Sequence, residues 1–157
     1  MIQVPLTQGK IALIDDVDAD LTDFKWHALK SKSNFYAARR IKEKMILLHR
    51  VVLSRMIKRE LIVGEQCDHI NCNELDNRRY NLRVCNHTEN NRNKSIIISN
   101  TSGYKGVSWS KKSSKWRADI MVNSQQIYLG LFDDPREAYE AYKEAALKYF
   151  GDFARFE

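Results

Sequence analysis

The run Gln66-Cys67-Asp68-His69-Ile70, followed by Leu75-Asp76-Asn77-Arg78-Arg79, Asn81-Leu82-Arg83-Val84 and Asn90-Asn91-Arg92-Asn93, decides how this chain is read. The stretch 66–94 is polar and crowded with asparagine, a composition that by default marks a low-complexity segment. Its pattern argues otherwise. The asparagines are interleaved with Asp68, His69, Arg78, Arg79 and Arg83 and with spaced apolar residues, Ile70, Leu75, Leu82 and Val84. Asn81 falls 12 residues after His69, enough for a turn and a return strand, and Asn90 falls 9 further on, at the first turn of a following helix. Phosphodiester hydrolysis needs a hard cation held by oxygen or nitrogen donors and a base that is neutral near pH 7. Asp68, His69, Asn81 and Asn90 are residues of those types at spacings that a strand, a return strand and a helix can bring together.

Around this stretch the chain reads as short elements. Lys10–Ile14 is strand-like and stops at Asp15-Asp16. Trp26–Leu29 and Phe35–Ala38 flank Lys30–Asn34 as a hairpin, and Met45–Leu48 is a further apolar run. Val52, Leu53, Met56 and Ile57 recur at helical spacing, predicting a helix over 49–59 with Gly64 as its stop. After a polar linker, Ser95–Ser102, come three strand-like runs: Gly106–Trp109, Lys115–Val122 and Ile127–Phe132. Asp133 or Asp134 then caps a helix with Pro135 in its first turn. Ala138, Ala141, Tyr142, Ala145, Ala146 and Tyr149 form one small-residue face of that helix, which Gly151 ends.

The 157 residues carry 26 Lys+Arg against 20 Asp+Glu, a net charge of +6, and the pI is near 9.2. An acidic partner is therefore expected, and nucleic acid and membrane surfaces are the usual ones. Charge is polarised in the last third. Residues 100–131 hold Lys105, Lys111, Lys112, Lys115 and Arg117 against Asp119 alone, whereas 132–157 are net acidic. No apolar run approaches the roughly 18 residues a membrane span requires. The N-terminus lacks the regions of a secretory signal. Cys67, Cys72 and Cys85 cannot all pair within one chain, so reduced thiols in the cytoplasm are the simplest expectation. Zinc is the alternative, since His87 lies two residues beyond Cys85, but no CxxC pair supports it.

With these residues in view, the stretch 66–94 resembles the HNH endonucleases in their phage-type form: Asp68-His69, then Asp76-Asn77-Arg78-Arg79, Asn81-Leu82-Arg83 and Asn90. The resemblance implies two strands and a helix around one divalent metal, Mg²⁺ or Mn²⁺. It implies that Asp68 and Asn90 ligate the metal, with Asn90 where many relatives carry His. It implies that His69 is the general base and that Asn81 bonds across the loop to orient it. Arg78, Arg79 and Arg83 either clamp phosphate or pair with nearby acids such as Asp76 or Glu74. His49, at the head of the helix before the motif, either lies near the scissile phosphate or is a structural helix-start residue. His87, three residues before Asn90, is a second candidate for the last ligand.

A second resemblance rests on Ser102-Gly103-Tyr104-Lys105-Gly106-Val107, Lys115-Trp116-Arg117-Ala118, Tyr128–Phe132 and Ala138–Tyr142. Residues 102–157 resemble the Apetala-two/ERF-type DNA-binding domain, which lays a three-stranded sheet in the major groove of double-stranded DNA. Strand alternation then turns Arg117, Asp119, Met121, Gln126 and Tyr128 away from the helix, beside Lys105 and the Lys111–Lys115 turn. That turn either contacts phosphate or is a solvated hairpin tip. This chain has Ser108 and Trp109 where the plant pattern has arginines.

The expected fold is α+β: a β-rich N-terminal region (1–48), a ββα-metal HNH nuclease core (49–98) and a C-terminal three-stranded antiparallel sheet packed on one helix (99–157). The order as a whole resembles phage-borne homing endonucleases, which implies the cytoplasm of a bacterial host or phage-infected cell. The function expected is a metal-dependent DNA endonuclease, monomer or homodimer, with no membrane partner. The competing expectations are a non-catalytic DNA-binding or regulatory protein that retains a decayed HNH fold, and an RNA- or ribosome-binding basic protein.

Overall fold

A computed structural model of the chain describes residues 1–92 and 100–156. The fold is mixed α/β with several antiparallel sheets, and it divides into two compact units, Met1–Asn90 and Asn91–Glu157. Residues 95–99 of the expected linker lie outside the described residues, as does the expected boundary at 98/99. Asn100, by contrast, is structured. Its Oδ1 accepts from the backbone N–H of Ser102 and of Gly103, both at 2.9 Å, and its Nδ2 donates to the Tyr104 carbonyl at 2.8 Å. The chain from Asn100 onward is thus a hydrogen-bonded loop of the second unit, where a loose linker was expected.

In the first unit, β1 (Ile2–Pro5) pairs with β2 (Ile11–Ile14), and β3 (His27–Ser31), β4 (Asn34–Ile41) and β5 (Lys44–Leu47) form a meander. The β3–β4 hairpin is tighter than the expected five-residue loop, because Lys32 adopts a φ of 54° and turns the chain in two residues. Helix α1 (Leu48–Ile57) follows directly on β5. It ends seven residues before Gly64, because Lys58 enters the left-handed region at φ 57° and donates its N–H to the Arg55 carbonyl. Next come β6 (Gln66–His69), β7 (Leu82–Cys85) and a short α2 (His87–Arg92). One core runs across residue 48 and includes Val4, Ile14, Leu21 and Trp26 from before it and Val52, Leu53 and Leu82 from after it. Residues 1–48 and 49–90 are therefore one packed body. Each fully buried Leu or Ile in that body contributes about 1.5–3 kcal/mol.

In the second unit, β8 (Val107–Ser110), β9 (Lys115–Val122) and β10 (Gln125–Phe132) form an antiparallel sheet in the order β10-β9-β8, with α3 (Pro135–Phe150) packed on one face. Asp134 caps α3 by accepting from the Arg136 N–H at 2.7 Å. Ala138, Tyr142, Ala145 and Ala146 are buried against Val107, Ala118 and Ile120. Tyr149, expected on that face, is 38% exposed, and Tyr139 and Phe150 pack there instead.

Gly106 fixes how closely helix and sheet approach. It sits at φ +73°, and a Cβ there would overlap the Tyr142 ring and stand 2.8 Å from the Asp119 carbonyl. Gly106→Ala is therefore expected to destabilise the second unit by about 2–4 kcal/mol, combining strained backbone with overpacking. Urea midpoints compared with the parent protein measure this.

Candidate functional site

Two groups of expected site residues come together, one in each unit. In the first, β6 and β7 pair with Asp68 opposite Arg83 and His69 opposite Leu82. The side chain of Asp68 is buried, and its Oδ2 accepts from Arg83 Nε at 2.8 Å and Nη2 at 2.7 Å. His69, 5% exposed, has its Nε2 at 3.2 Å from Asn77 Oδ1. Burial holds this imidazole below the usual histidine range, opposed by the Asn77 hydrogen bond and by the charges of Glu74, Asp68 and Asp76. His69 is accordingly a neutral ring at pH 7, oriented by an amide.

The loop between the strands is pinned by buried amides. Asn81 Nδ2 donates to the Asp76 carbonyl at 2.7 Å, and Asn81 Oδ1 accepts from the Asn71 N–H at 2.9 Å. The backbone N–H of Asn77 donates to the Leu13 carbonyl, and Leu13 donates to Leu75, both at 2.8 Å, so the loop is stitched onto β2. Asn81 thus bonds across the loop, while the residue that touches the imidazole is Asn77. Asn77 is one of many asparagines in the stretch, and nothing in the spacing singles it out.

Asn86 and Glu89 open α2 with a reciprocal cap: Glu89 N–H donates to Asn86 Oδ1 at 3.0 Å, and Asn86 N–H donates to Glu89 Oε2 at 2.8 Å. This is the capping-box arrangement with Asn in the lead position. It sets Asn90 against β6, where its Nδ2 donates to Gln66 Oε1 at 2.8 Å, two residues along the strand from Asp68. His87, at the head of α2, is exposed. Among the described residues no group of three or more His, Cys, Asp or Glu is arranged to hold a metal. Burial raises the Cys67 thiol to about 12 and the Cys85 thiol to about 11.

The arginines of the motif are engaged within the protein. Arg78 clasps Asp76 with two contacts of 2.7 Å. Arg79 reaches the fully buried Asp18 at 2.9 and 3.0 Å, and its backbone N–H donates to Asp15. Arg55 of α1 meets the same Asp18 at 3.3 Å. Asp15 and Asp18 lie more than 60 positions from Arg79, and Asp18 lies 37 from Arg55, which hid these pairings.

His49 is 6% exposed, and its ring stands 5.1 Å edge-on from that of His69 and 5.5 Å from that of Tyr36. Burial, with His69 and Arg50 beside it, lowers its pKa to about 3.

In the second unit the expected alternation holds. Trp116, Ala118, Ile120, Val122, Ile127 and Leu129 pack toward α3. Met121, Gln126 and Tyr128 are exposed on the outer face, with Tyr128 paired opposite Asp119 and Gln126 opposite Met121. This face, counted together with Lys105 and the Lys111–Lys112 turn beside it, was expected to be polar and mostly cationic. Arg117 on it is clasped by Asp119 at 2.7 and 2.8 Å and lies 5.3 Å from the Tyr128 ring. The positive charge collects at the β8–β9 turn, where Lys111 and Lys112 are exposed, whereas Lys115 pairs with Asp133 at 3.0 Å. Lys105 is half-buried beside Gly106. Trp109 stays 46% exposed while resting edge-on against Trp116 at 5.1 Å.

The family model for the AP2 domain matches residues 102–152. An AP2 domain is present. It comprises the whole of the β8-β9-β10 sheet and α3, and an AP2 domain implies DNA binding. Among curated proteins, the chain is 41% identical over 63 residues to "Protein 3.8" of Escherichia phage T7, covering 40% of this chain and 52% of that protein. It is 38% identical over 53 residues to "APETALA2-like protein 2" of Oryza sativa subsp. indica, covering 34% of this chain and 12% of that protein. It is also 38% identical over 53 residues to "AP2-like ethylene-responsive transcription factor TOE2" of Arabidopsis thaliana, covering 34% of this chain and 11% of that protein. The chain thus spans about half the length of the phage relative and a small part of each plant relative. No solved structure matches. Among the described residues no helix is long and apolar enough to cross a membrane.

The depressed His49 pKa makes stability of the first unit depend on pH. The unfolded chain takes up a proton near pH 6.5, whereas the folded ring resists protonation down to about 3. This contribution is complete above pH 6.5 and is lost progressively as pH falls toward 3, by up to ~1.4 kcal/mol per pH unit. Thermal melts from pH 7 to pH 4 are expected to fall more steeply for the parent than for His49→Phe, which keeps a ring between Tyr36 and His69 but cannot titrate.

Proposed function

We propose that this protein binds double-stranded DNA through its AP2 domain, presenting the outer face of the β8-β9-β10 sheet to the duplex. The observation that carries this reading is the AP2 match over 102–152, on a sheet whose helix-free face exposes Gln126 and Tyr128 beside the lysine-bearing β8–β9 turn. Lys111 and Lys112 meet phosphate, and Gln126, Tyr128 and Arg117 stand where base edges are read. For Arg117, reaching DNA means leaving Asp119, which favours sequences that repay the exchange. The comparisons support the DNA-binding part of the expected function.

Lys111→Gln with Lys112→Gln is expected to weaken duplex binding and to flatten the dependence of log affinity on log salt by about 1–2, at ~0.9 per phosphate contact. The preferred sequence should not change. Fluorescence anisotropy at several salt concentrations reads both. Unchanged slopes would remove the turn from the interface.

A second reading is favoured by one specific observation, buried Asp68 beside a buried and neutral His69 on β6, with Asn90 of α2 bonded to Gln66 of the same strand. It is metal-dependent phosphodiester hydrolysis. The donor types fit Mg²⁺ or Mn²⁺: Asp68 and Asn90 offer hard oxygens, and they would hold the ion there. Such an ion supplies charge stabilisation at phosphate and a more acidic bound water. His69 would accept a proton from the attacking water. Arg83, now on Asp68, would be available to phosphate once the carboxylate turns to a cation. Supercoiled plasmid with Mg²⁺ or Mn²⁺ should then be nicked, and His69→Ala should slow nicking by ~10²–10⁴-fold with duplex affinity retained. Intact plasmid with the parent protein leaves the DNA-binding reading alone standing.

A further inference from the structure

Among the described residues, one buried side-chain polar atom has no hydrogen-bond partner: Nδ1 of His49. It lies at the first turn of α1, which no side chain caps, since Leu47 occupies the cap position. That turn opens on a cavity of about 320 Å³ lined by Ser31, Tyr36, His49, Arg50, Gln66 and Asn90, with Leu29, Leu47 and Cys67 completing the wall. The lining therefore carries one cation, Arg50, and no carboxylate.

Each feature points to the same class of occupant. An uncapped helix start presents backbone N–H groups and the positive end of the helix dipole. The His49 ring, held between Tyr36 and His69, is neutral and can donate from Nδ1. Arg50 adds a planar fork of donors suited to phosphate oxygens. Tyr36 keeps its phenolic proton, because burial and the charge of Glu74 raise its pKa. Leaving a buried donor unsatisfied costs about 1–3 kcal/mol, so a site with such an atom is organised for something that bonds to it.

We propose that the cavity at the start of α1 is a phosphodiester site, in which His49 Nδ1, Arg50 and the first-turn N–H groups of α1 hold a backbone phosphate of DNA. It rests on the DNA-binding reading and extends it, giving the first unit a phosphate contact separate from the AP2 domain. The contact is non-sequence-specific and adds to affinity and register. It does not require hydrolysis.

The test uses the full chain, isotope-labelled at histidine and backbone nitrogen, in EDTA. It is titrated separately with dimethyl phosphate, inorganic phosphate and a short duplex. The expected result is that dimethyl phosphate and duplex each shift the His49 Nδ1 resonance and the amides of residues 48–50. Arg50→Gln, at an exposed position, should abolish the dimethyl phosphate response and flatten the salt dependence of duplex binding by ~0.9. His49→Phe should remove the response of the amides of residues 48–50 to dimethyl phosphate; if that variant does not fold, Arg50→Gln decides. A response to inorganic phosphate without one to duplex overturns the assignment to DNA. Duplex shifts confined to residues 107–132, with His49 silent, overturn the site and leave AP2-mediated binding intact. No response to duplex anywhere in the chain defeats both readings.

Discussion

The first unit depends on satisfying the polar groups it buries. Asp18, Asp68, His69, Asp76, Asn77 and Asn81 are all withdrawn from water, and each is met by a named partner. Asp18 is the most demanding, being a fully buried carboxylate compensated by Arg79 from the β6–β7 loop and Arg55 from α1. Removing one partner from such a group commonly costs 3–5 kcal/mol, far more than the net worth of the pair. These bonds tie the loop from 70 to 81 to β2 and to the turn around Asp18. Hence the β6–β7 hairpin is held in place by residues that a local view of the motif does not include.

That same accounting isolates His49. Its neighbours on β6 and in the loop have their hydrogen bonds, and its Nδ1 does not. In the second unit the binding constraint is steric: Gly106 lets Tyr142 and β9 close on one another, which sets α3 flat against one face and leaves the other for a partner. The outer face that results is polar and nearly charge-neutral, with lysines at its rim. A surface of that kind can be read in detail only by a partner that first tolerates the rim charges, and a polyanion does so.

Much of this was legible in the chain itself. Period-2 alternation from Lys115 to Val122 and the alanine spacing of 138–146 give the sheet-on-helix arrangement, because in a small two-layer unit local pattern and tertiary burial coincide. The start of α1 was legible from Val52, Leu53, Met56 and Ile57, but its end was not, since Lys58 and not a glycine takes the left-handed conformation. Partners of the arginines were hidden by distance along the chain: Asp76 is local to Arg78, but Asp18 is 61 positions from Arg79. Asn77 was hidden by repetition, one amide among many. Alternation placed Arg117 and Asp119 on one face, but it does not show that they pair, at 2.7 Å, and so offset each other's charge.

The account's central claim is that the sheet face opposite α3 meets duplex DNA. Hydrogen exchange of the full chain, followed by mass spectrometry with and without duplex, tests it most directly. The account predicts slowed exchange over 107–132, strongest around the β8–β9 turn, with α3 unchanged on its solvent side. Protection confined to α3, or none in 107–132 under conditions where the duplex is bound, would contradict it.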